Sequence, residues 1–187
     1  MSKPHALVTG GSRGIGAAVA RTLAAQGHPI LLNYRSNDDA AAQVKSEIEA
    51  AGGSVELVRF DVTDRDAANE AIDGLLAREL SIGVLVNNAG HSIRRPLAES
   101  LERFHDLERV MSINYFGPAR LIRAVLPSMR AQRSGFVVNV LSAGANIPSP
   151  WFGAYTASKA ALGQLGNARC EPPLLPPPAA ARLPHAP

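Results

Sequence analysis

A tyrosine and a lysine, Tyr155 and Lys159, lie four residues apart in a stretch whose pattern predicts a helix. Residues at this spacing share one helix face. An ammonium beside a phenol favours the phenolate, which lowers a tyrosine pKa from its usual value of about 10 and prepares the group for proton transfer. Tyr-x-x-x-Lys alone also occurs by chance in many helices. Ser142, which follows a strand-like run, favours a catalytic role for Tyr155 and Lys159. Its hydroxyl could donate a hydrogen bond to the carbonyl oxygen that receives the proton.

A glycine-rich turn, Thr9-Gly10-Gly11-Ser12-Arg13-Gly14-Ile15-Gly16, joins the first predicted strand to the first predicted helix. The glycines at 10, 14 and 16 allow a tight turn, close approach to the backbone and close packing of the helix on the sheet. Free N–H groups at a helix N-terminus suit a pyrophosphate. The alternative is an ordinary strand-to-helix turn that happens to use glycine. The position before an amphipathic helix favours the phosphate site.

Strands and helices alternate along the chain to about residue 166. The predicted strands cover 6–9, 29–34, 55–60, 82–87 and 136–141, and the predicted helices cover 14–26, 38–51, 64–80, 97–110, 114–132 and 155–165. Continuous Val, Ile and Leu in the strands is typical of a parallel sheet that helices cover on both faces. The sequence therefore predicts an α/β fold with a doubly wound parallel sheet.

The C-terminal segment differs sharply from the rest. Residues 171–187 hold seven of the 14 prolines, a density that no helix or interior strand tolerates. We therefore expect one domain over 1–166 and a Pro/Ala-rich, disordered tail over 167–187.

Composition narrows the function classes. The chain of 187 residues is 46% hydrophobic and 19% charged, with a net charge of +3 that is spread along the sequence. A dispersed charge argues against nucleic acid or anionic lipid as a partner. The single cysteine, Cys170, allows no internal disulfide, and the five histidines have no metal-ligand spacing. With no apolar run near about 18 residues and no signal-like start, we expect a soluble, cytoplasmic protein without a metal.

Several motifs occur together at compatible spacing: TGGSRGIG at 9–16, Phe60-Asp61-Val62, Asn87-Asn88-Ala89-Gly90, Asn114, Ser142 and Tyr155-x-x-x-Lys159. In these the chain resembles the short-chain dehydrogenase/reductase family. Within that family it is most similar to 3-oxoacyl-[acyl-carrier-protein] reductases, partly through the NYRS segment. The resemblance implies a Rossmann-like fold. It fades after Leu162, so we expect a C-terminally truncated member that lacks the family's last strands and exposes its fifth strand as an apolar edge.

The resemblance also implies roles for particular residues. The catalytic set is Asn114, Ser142, Tyr155 and Lys159: the tyrosine acts as general acid, the serine polarises the carbonyl, the lysine also holds the nicotinamide ribose, and the asparagine helps to position a water. The cofactor contacts are Gly10, Ser12, Arg13, Gly14, Ile15, Gly16, Asn33, Arg35, Ser36, Asp61, Val62, Asn88, Ala89 and Gly90, together with Tyr155 and Lys159.

The end of the second strand bears on which nicotinamide cofactor binds. Asn33-Tyr34-Arg35-Ser36 offers no carboxylate, whereas an acidic residue there would bind the adenosine ribose and repel a 2′-phosphate. Arg13 and Arg35 could instead bind that phosphate. The two arginines could equally be solvated surface residues. Their joint position and the missing acid favour NADP(H) over NAD(H).

The sequence therefore predicts hydride transfer to a carbonyl substrate, a 3-oxoacyl thioester that could be linked to acyl carrier protein. Trp151 and Phe152 could wall an acyl pocket or simply bury their loop, and His91 could face the substrate. The alternative function is that of a catalytically impaired nucleotide-binding or interaction protein, which could pair with a full-length relative; a homo-oligomer is possible. A methyltransferase would need an acidic residue at the end of the second strand, where Asn33 argues against it.

Overall fold

The structure, a computed structural model, describes residues 3–147 and 150–167. The proline-rich segment that we predicted as a tail lies outside these residues from position 168 onward. Five strands form the sheet: β1 (His5–Val8), β2 (Ile30–Tyr34), β3 (Val55–Arg59), β4 (Ile82–Asn87) and β5 (Phe136–Asn139). The helices are α1 (Gly14–Ala25), α2 (Asp38–Ala50), α3 (Arg65–Ala77), α4 (Phe104–Met111), α5 (Gly117–Ala131) and α6 (Gly153–Asn167).

The strands are all parallel and lie in the order β3-β2-β1-β4-β5. Every residue of β2 and β4 is buried, as expected for strands that helices cover on both faces. The chain winds outward from β1 in both directions, which confirms the predicted doubly wound sheet.

Two apolar cores, one on each face, hold the helices to the sheet. On the first face, the small side chains of α1 and the branched side chains of α2 pack over Ala6, Val8, Val84 and Val86. On the second face, α3 and α5 pack over Leu7, Leu31 and Leu85. Because side chains alternate between faces along a strand, both cores draw on the same strands.

The region between β4 and α5 departs from the prediction. The helix predicted over 97–110 is wrong in its first half: Leu97–Glu99 is a short 3₁₀ turn, and the α-helix begins only at Phe104. Ser112–Phe116 forms a π-helical turn that runs directly into α5. Such turns insert one residue into the helical ladder and are frequent at functional sites.

The edge strand β5 exposes apolar side chains, as predicted. Phe136 and Val138 pair in register with Val84 and Val86, which the first core buries. Phe136 is nevertheless 70% exposed and Val138 47% exposed, because no described element covers this face beyond β4.

Candidate active site

The carboxyl ends of the strands bring the predicted site residues to one edge of the sheet. The chain runs from β1 to β2 and β3 on one side, and β4 and β5 lie on the other side of β1. Ligands of doubly wound sheets bind in the crevice where the strand order reverses in this way. A predicted residue follows each strand: Gly10 after β1, Arg35 after β2, Asp61 after β3, Asn88 after β4 and Ser142 after β5.

The turn between β1 and α1 has the backbone that its glycines predict. Gly10 and Gly14 have φ of +62° and +56°, the left-handed region in which other residues are strained. A Cβ on Gly10 would lie 3.0 Å from the Cα of Ala89, whereas a Cβ placed on Gly14 would meet no described atom within 4 Å beyond its chain neighbours and the local helix backbone. Bare backbone therefore faces open space at Gly14, and a phosphate could approach it closely.

The N-terminus of α1 is suited to an anion. Its N-cap residue, Arg13, makes no side-chain capping bond, and the first turn has no acidic residue. By contrast, Asn37 caps α2 and Asp64 caps α3. The first N–H groups of α1 thus have no described side-chain acceptor, and together with the helix dipole they fit the pyrophosphate of a dinucleotide.

A hydrogen-bonded clasp joins this turn to the end of β4. The Thr9 hydroxyl accepts the backbone N–H groups of Asn88 and Ala89, both at 3.0 Å. The Asn88 amide donates back to the carbonyls of Thr9 at 2.8 Å and Gly10 at 3.2 Å. The clasp fixes the two sides of the crevice relative to each other.

Asn33, which we predicted as a cofactor contact, is 2% exposed. Its amide nitrogen donates to the carbonyls of Val58 (3.2 Å) and Phe60 (3.0 Å), and its amide oxygen accepts from the Gly10 N–H (3.3 Å). The protein therefore engages both polar ends of the side chain. Asn33 therefore holds β3 and the glycine turn together, and its direct contact with a cofactor stays a prediction.

The remaining residues at the predicted adenosine end are accessible. Arg13 and Ser36 are exposed, and the Arg35 guanidinium lies 3.8 Å from an oxygen of Asp61. Asp61 also accepts from the N–H and the hydroxyl of Thr63, both at 2.8 Å. Arg35 thus lies beside a carboxylate that is itself fixed by Thr63.

Sequence reasoning missed three residues that support this end of the site. Arg59 donates to the Arg35 carbonyl at 3.4 Å and to Asp38 at 3.3 Å. The Tyr34 hydroxyl donates to the same carboxylate at 2.8 Å. This hydrogen bond, with burial, raises the pKa of Tyr34. Their positions could have been found from the sequence, because Tyr34 ends β2, Arg59 ends β3 and these two strands are neighbours in the sheet.

Two further predicted contacts differ in accessibility. Ile15, in the first turn of α1, is 63% exposed. Val62 is 6% exposed, and its carbonyl accepts from Arg120 at 3.0 Å. Ile15 could therefore cover a bound molecule with its side chain, whereas Val62 is largely held against α5.

Lys159 is 4% exposed, which is rare for a lysine. Its Nζ donates to the Val140 carbonyl at 2.7 Å. A Cβ on Gly90 would lie 3.5 Å from this Nζ and 3.1 Å from Asn114 Oδ1. Burial lowers the pKa of Lys159. The fold therefore brings Lys159 and Asn114 together beside Gly90, at the end of β4.

Asn114 is fully buried in the π-helical turn. Its side chain makes two hydrogen bonds to the backbone of His91. The amide oxygen accepts from the N–H at 2.9 Å, and the amide nitrogen donates to the carbonyl at 2.8 Å. It also donates to the Ser158 hydroxyl at 2.9 Å, which in turn donates to the Tyr155 carbonyl at 2.7 Å. Ser158 was not predicted. Asn114 and Ser158 together fix the loop after β4 against α6, the helix of Tyr155 and Lys159.

Ser142 and Tyr155 line the same pocket, which has a volume of about 370 Å³. Ser142 caps a 3₁₀ turn at 143–145 and accepts the Gly144 N–H at 3.2 Å. The rings of Phe152 and Tyr155 meet edge to face, 6.2 Å apart. The lining residues are Ser92, Ser142, Ala143, Gly144, Ile147, Phe152, Tyr155 and Thr156. The pocket thus combines hydroxyl groups with an apolar wall.

The arrangement can be compared with known proteins. The chain matches the family described as short chain dehydrogenase over residues 4–171. This chain belongs to that family. The curated "Fatty acyl-CoA reductase" of Acinetobacter baylyi is 42% identical over 157 residues, which are 84% of this chain and 53% of the relative. The "3-oxoacyl-[acyl-carrier-protein] reductase" of Synechocystis sp. is 37% identical over 84% of this chain and 63% of its own length.

A solved structure of this short-chain dehydrogenase fold also matches closely. It is titled "Crystal structure of a metagenomic short-chain oxidoreductase (SDR) in complex with NADP", and it superposes with a TM-score of 0.81 at 37% identity over 87% of this chain and 72% of that one. The family and the Rossmann-like fold are thereby confirmed. The present chain spans about half the length of the first curated relative.

No helix within 3–147 and 150–167 has the length and hydropathy to cross a membrane. The same residues contain no cluster of three His, Cys, Asp or Glu side chains that could hold a metal ion.

Proposed function

We propose that this short-chain dehydrogenase is an NADP(H)-dependent carbonyl reductase whose general acid is Tyr155. The observation that carries the proposal is that Ser142 and Tyr155 line one pocket at the open edge of the sheet. Ser142 donates a hydrogen bond to the substrate carbonyl oxygen, and Tyr155 gives that oxygen its proton. The nicotinamide, when bound, supplies the hydride.

Lys159 and Asn114 prepare the site for this proton transfer. Lys159 is buried and donates to the Val140 carbonyl just after β5, and it holds the cofactor ribose as the family resemblance implies. Asn114 fixes the backbone of His91 and, through Ser158, the helix that carries both residues. These positioned dipoles and charges need little reorganisation during the reaction.

The preference for NADP(H) rests on Arg13 and Arg35. Both guanidinium groups are exposed near the ends of β1 and β2, and no carboxylate ends β2. A 2′-phosphate would form charge-assisted hydrogen bonds with them, and Arg35 would exchange its 3.8 Å contact with Asp61 for this stronger pair. The NADP in the solved short-chain oxidoreductase supports the same choice.

The substrate class that we propose is a 3-oxoacyl thioester. Ile147 and Phe152 give the pocket an apolar wall for an acyl chain, next to the hydroxyls that would hold the carbonyl. The names of the two curated relatives, a fatty acyl-CoA reductase and a 3-oxoacyl-[acyl-carrier-protein] reductase, support an acyl substrate.

Replacing Tyr155 with Phe tests the reaction. NADPH oxidation with acetoacetyl-CoA should proceed in the unchanged protein, and kcat should fall by about 100-fold or more in Tyr155→Phe while NADPH still binds. Tyr115→Phe is the matched control, because Tyr115 lies in the π-helical turn and not on the pocket. Equal rates in the unchanged protein and Tyr155→Phe would contradict the proposed role.

A second candidate is a nucleotide-binding protein without turnover, which pairs with a full-length relative. The exposed apolar edge of β5, with Phe136 70% exposed, favours this alternative because such an edge invites another strand. Saturable NADPH binding with no oxidation by any 3-oxoacyl thioester would support it.

A further inference from the structure

Two loops pack together beside the pocket and form part of its rim. The Arg95 N–H donates to the Trp151 carbonyl at 2.8 Å, which ties the loop after β4 to the segment before α6. The Arg95 guanidinium donates to Asp106 at 3.0 Å, and the side chain of Asp106 is only 13% exposed. The rim is thus anchored to α4 by a partly buried ion pair.

Arg94, the residue before Arg95, contacts Trp151 instead of Asp106. Its guanidinium carbon lies 5.2 Å from the centroid of the Trp151 ring, within the range of a cation–π contact. Trp151 is 46% exposed, so the stacked pair meets solvent. Among the residues that the structure describes, no carboxylate pairs with Arg94, whereas Arg95 and Arg103 both pair with Asp106. The Arg94 charge is therefore held in place and not neutralised by an ion pair.

The pair lies next to the pocket on both of its loops. Ser92, two residues before Arg94, and Phe152, directly after Trp151, both line the cavity. The interior offers hydroxyls and an apolar wall, and the Arg94–Trp151 pair flanks the lining residues of both loops. A ligand that fits this arrangement places a carbonyl and an apolar chain inside the pocket. It keeps an anionic group outside, near Arg94.

We propose that Arg94, held by Trp151, binds an anionic group of the substrate that remains outside the pocket. This inference rests on the proposed function, and on that reading the group is a phosphate of the thioester carrier. Free coenzyme A and protein-bound phosphopantetheine share this chemistry. A guanidinium suits the task because it donates several hydrogen bonds to a phosphate while its plane stacks on an indole.

Trp151 is the chain's single tryptophan, so intrinsic tryptophan fluorescence reports directly on this site. We would titrate the full chain, without NADPH, with acetoacetyl-CoA and with the acetoacetyl thioester of N-acetylcysteamine, which has no phosphate. Acetoacetyl-CoA should change the emission saturably, with a Kd that rises with salt concentration. Arg94→Gln should raise that Kd about five- to tenfold and leave the Kd of the neutral thioester within about twofold.

The control variant is Arg65→Gln, which removes an exposed arginine at the start of α3, outside the pocket lining. It changes the net charge equally and should leave both Kd values unchanged. An equal loss of affinity in Arg65→Gln would show a general charge effect and overturn the site. An Arg94→Gln protein that binds acetoacetyl-CoA as tightly as the unchanged protein would also overturn it.

Turnover separates this inference from the proposed function. If both thioesters are reduced, Arg94→Gln should raise KM for the CoA thioester with little change in kcat. If neither is reduced, the proposed function fails, while the fluorescence titration still decides whether Arg94 binds the anion. The acyl-carrier-protein thioester, added to the same series, identifies the source: the carrier whose binding Arg94→Gln weakens more is the one recognised.

Discussion

Gly16→Ala tests the close packing of the glycine turn on the end of β4. A Cβ at position 16 would lie 2.5 Å from the Asn88 amide nitrogen and closer still to the Gly10 carbonyl oxygen. One of these atoms belongs to the backbone, and Asn88 is tied to Thr9 and Gly10 by hydrogen bonds. Neither group can move without disturbing the clasp between β1 and β4.

The expected cost follows from these contacts. The new methyl group would be about 1 Å closer than ordinary van der Waals contact, and overpacking of this kind costs about 1–3 kcal/mol. Displacing the Asn88 amide adds about 1 kcal/mol for a weakened hydrogen bond. Gly16→Ala should therefore lower the free energy of unfolding by about 2–4 kcal/mol.

Urea unfolding measures this change, and NADPH titration at low temperature measures the cofactor site in the folded protein. Because the turn must shift to relieve the contact, the Kd for NADPH should rise by about tenfold or more. Gly74→Ala is the matched control. It adds the same methyl group within α3, where no described atom beyond the chain neighbours and the local helix backbone lies within 4 Å, and should stabilise the protein by about 0.5–1 kcal/mol.

Gly16→Ala with the unfolding midpoint and NADPH affinity of the unchanged protein would refute the reasoning. It would mean that the turn does not pack on Asn88 as the structure has it. A loss of stability with an unchanged Kd for NADPH would confirm the packing of Gly16 on Asn88. The same result would reject the glycine turn as a cofactor contact.

Three further predictions concern single side chains. Ser158→Ala should destabilise the protein by about 1–2 kcal/mol in urea, because it removes the buried hydroxyl that bonds Asn114, whereas Ser46→Ala on the exposed face of α2 should change little. Arg35→Ala should raise KM for NADPH about tenfold and leave KM for NADH nearly unchanged, and equal effects on both would reject Arg35 as the phosphate ligand. Burial lowers the folded-state pKa of Lys159, so the unfolded chain binds more protons between that pKa and the unfolded value, and stability rises with pH through this window. Urea midpoints measured between neutral and alkaline pH should show this rise, and Lys159→Met should reduce it; an unchanged slope would contradict the effect of burial.

The sequence could predict the fold because its signals are local and periodic. Continuous apolar strands and amphipathic helices specify a covered parallel sheet, and the predicted strand and helix order is the observed one. The helix predicted over 97–110 was wrong in its first half because only the periodic pattern of apolar residues supported it. The chain there makes a 3₁₀ turn and irregular segments before Phe104. Asn33 shows a second limit, because its residue type at a strand end does not reveal that its amide bonds Val58, Phe60 and Gly10.

By itself, the sequence determined the family, the parallel architecture and the residue types of the candidate site. Motif spacing and strand ends are local properties, so they can be read along the chain. Only the tertiary structure decided which distant groups meet. It placed Ser158 between Asn114 and Tyr155, buried Lys159 beside Gly90, and stacked Arg94 on Trp151. These contacts depend on how loops from separate strands pack, which no short segment encodes.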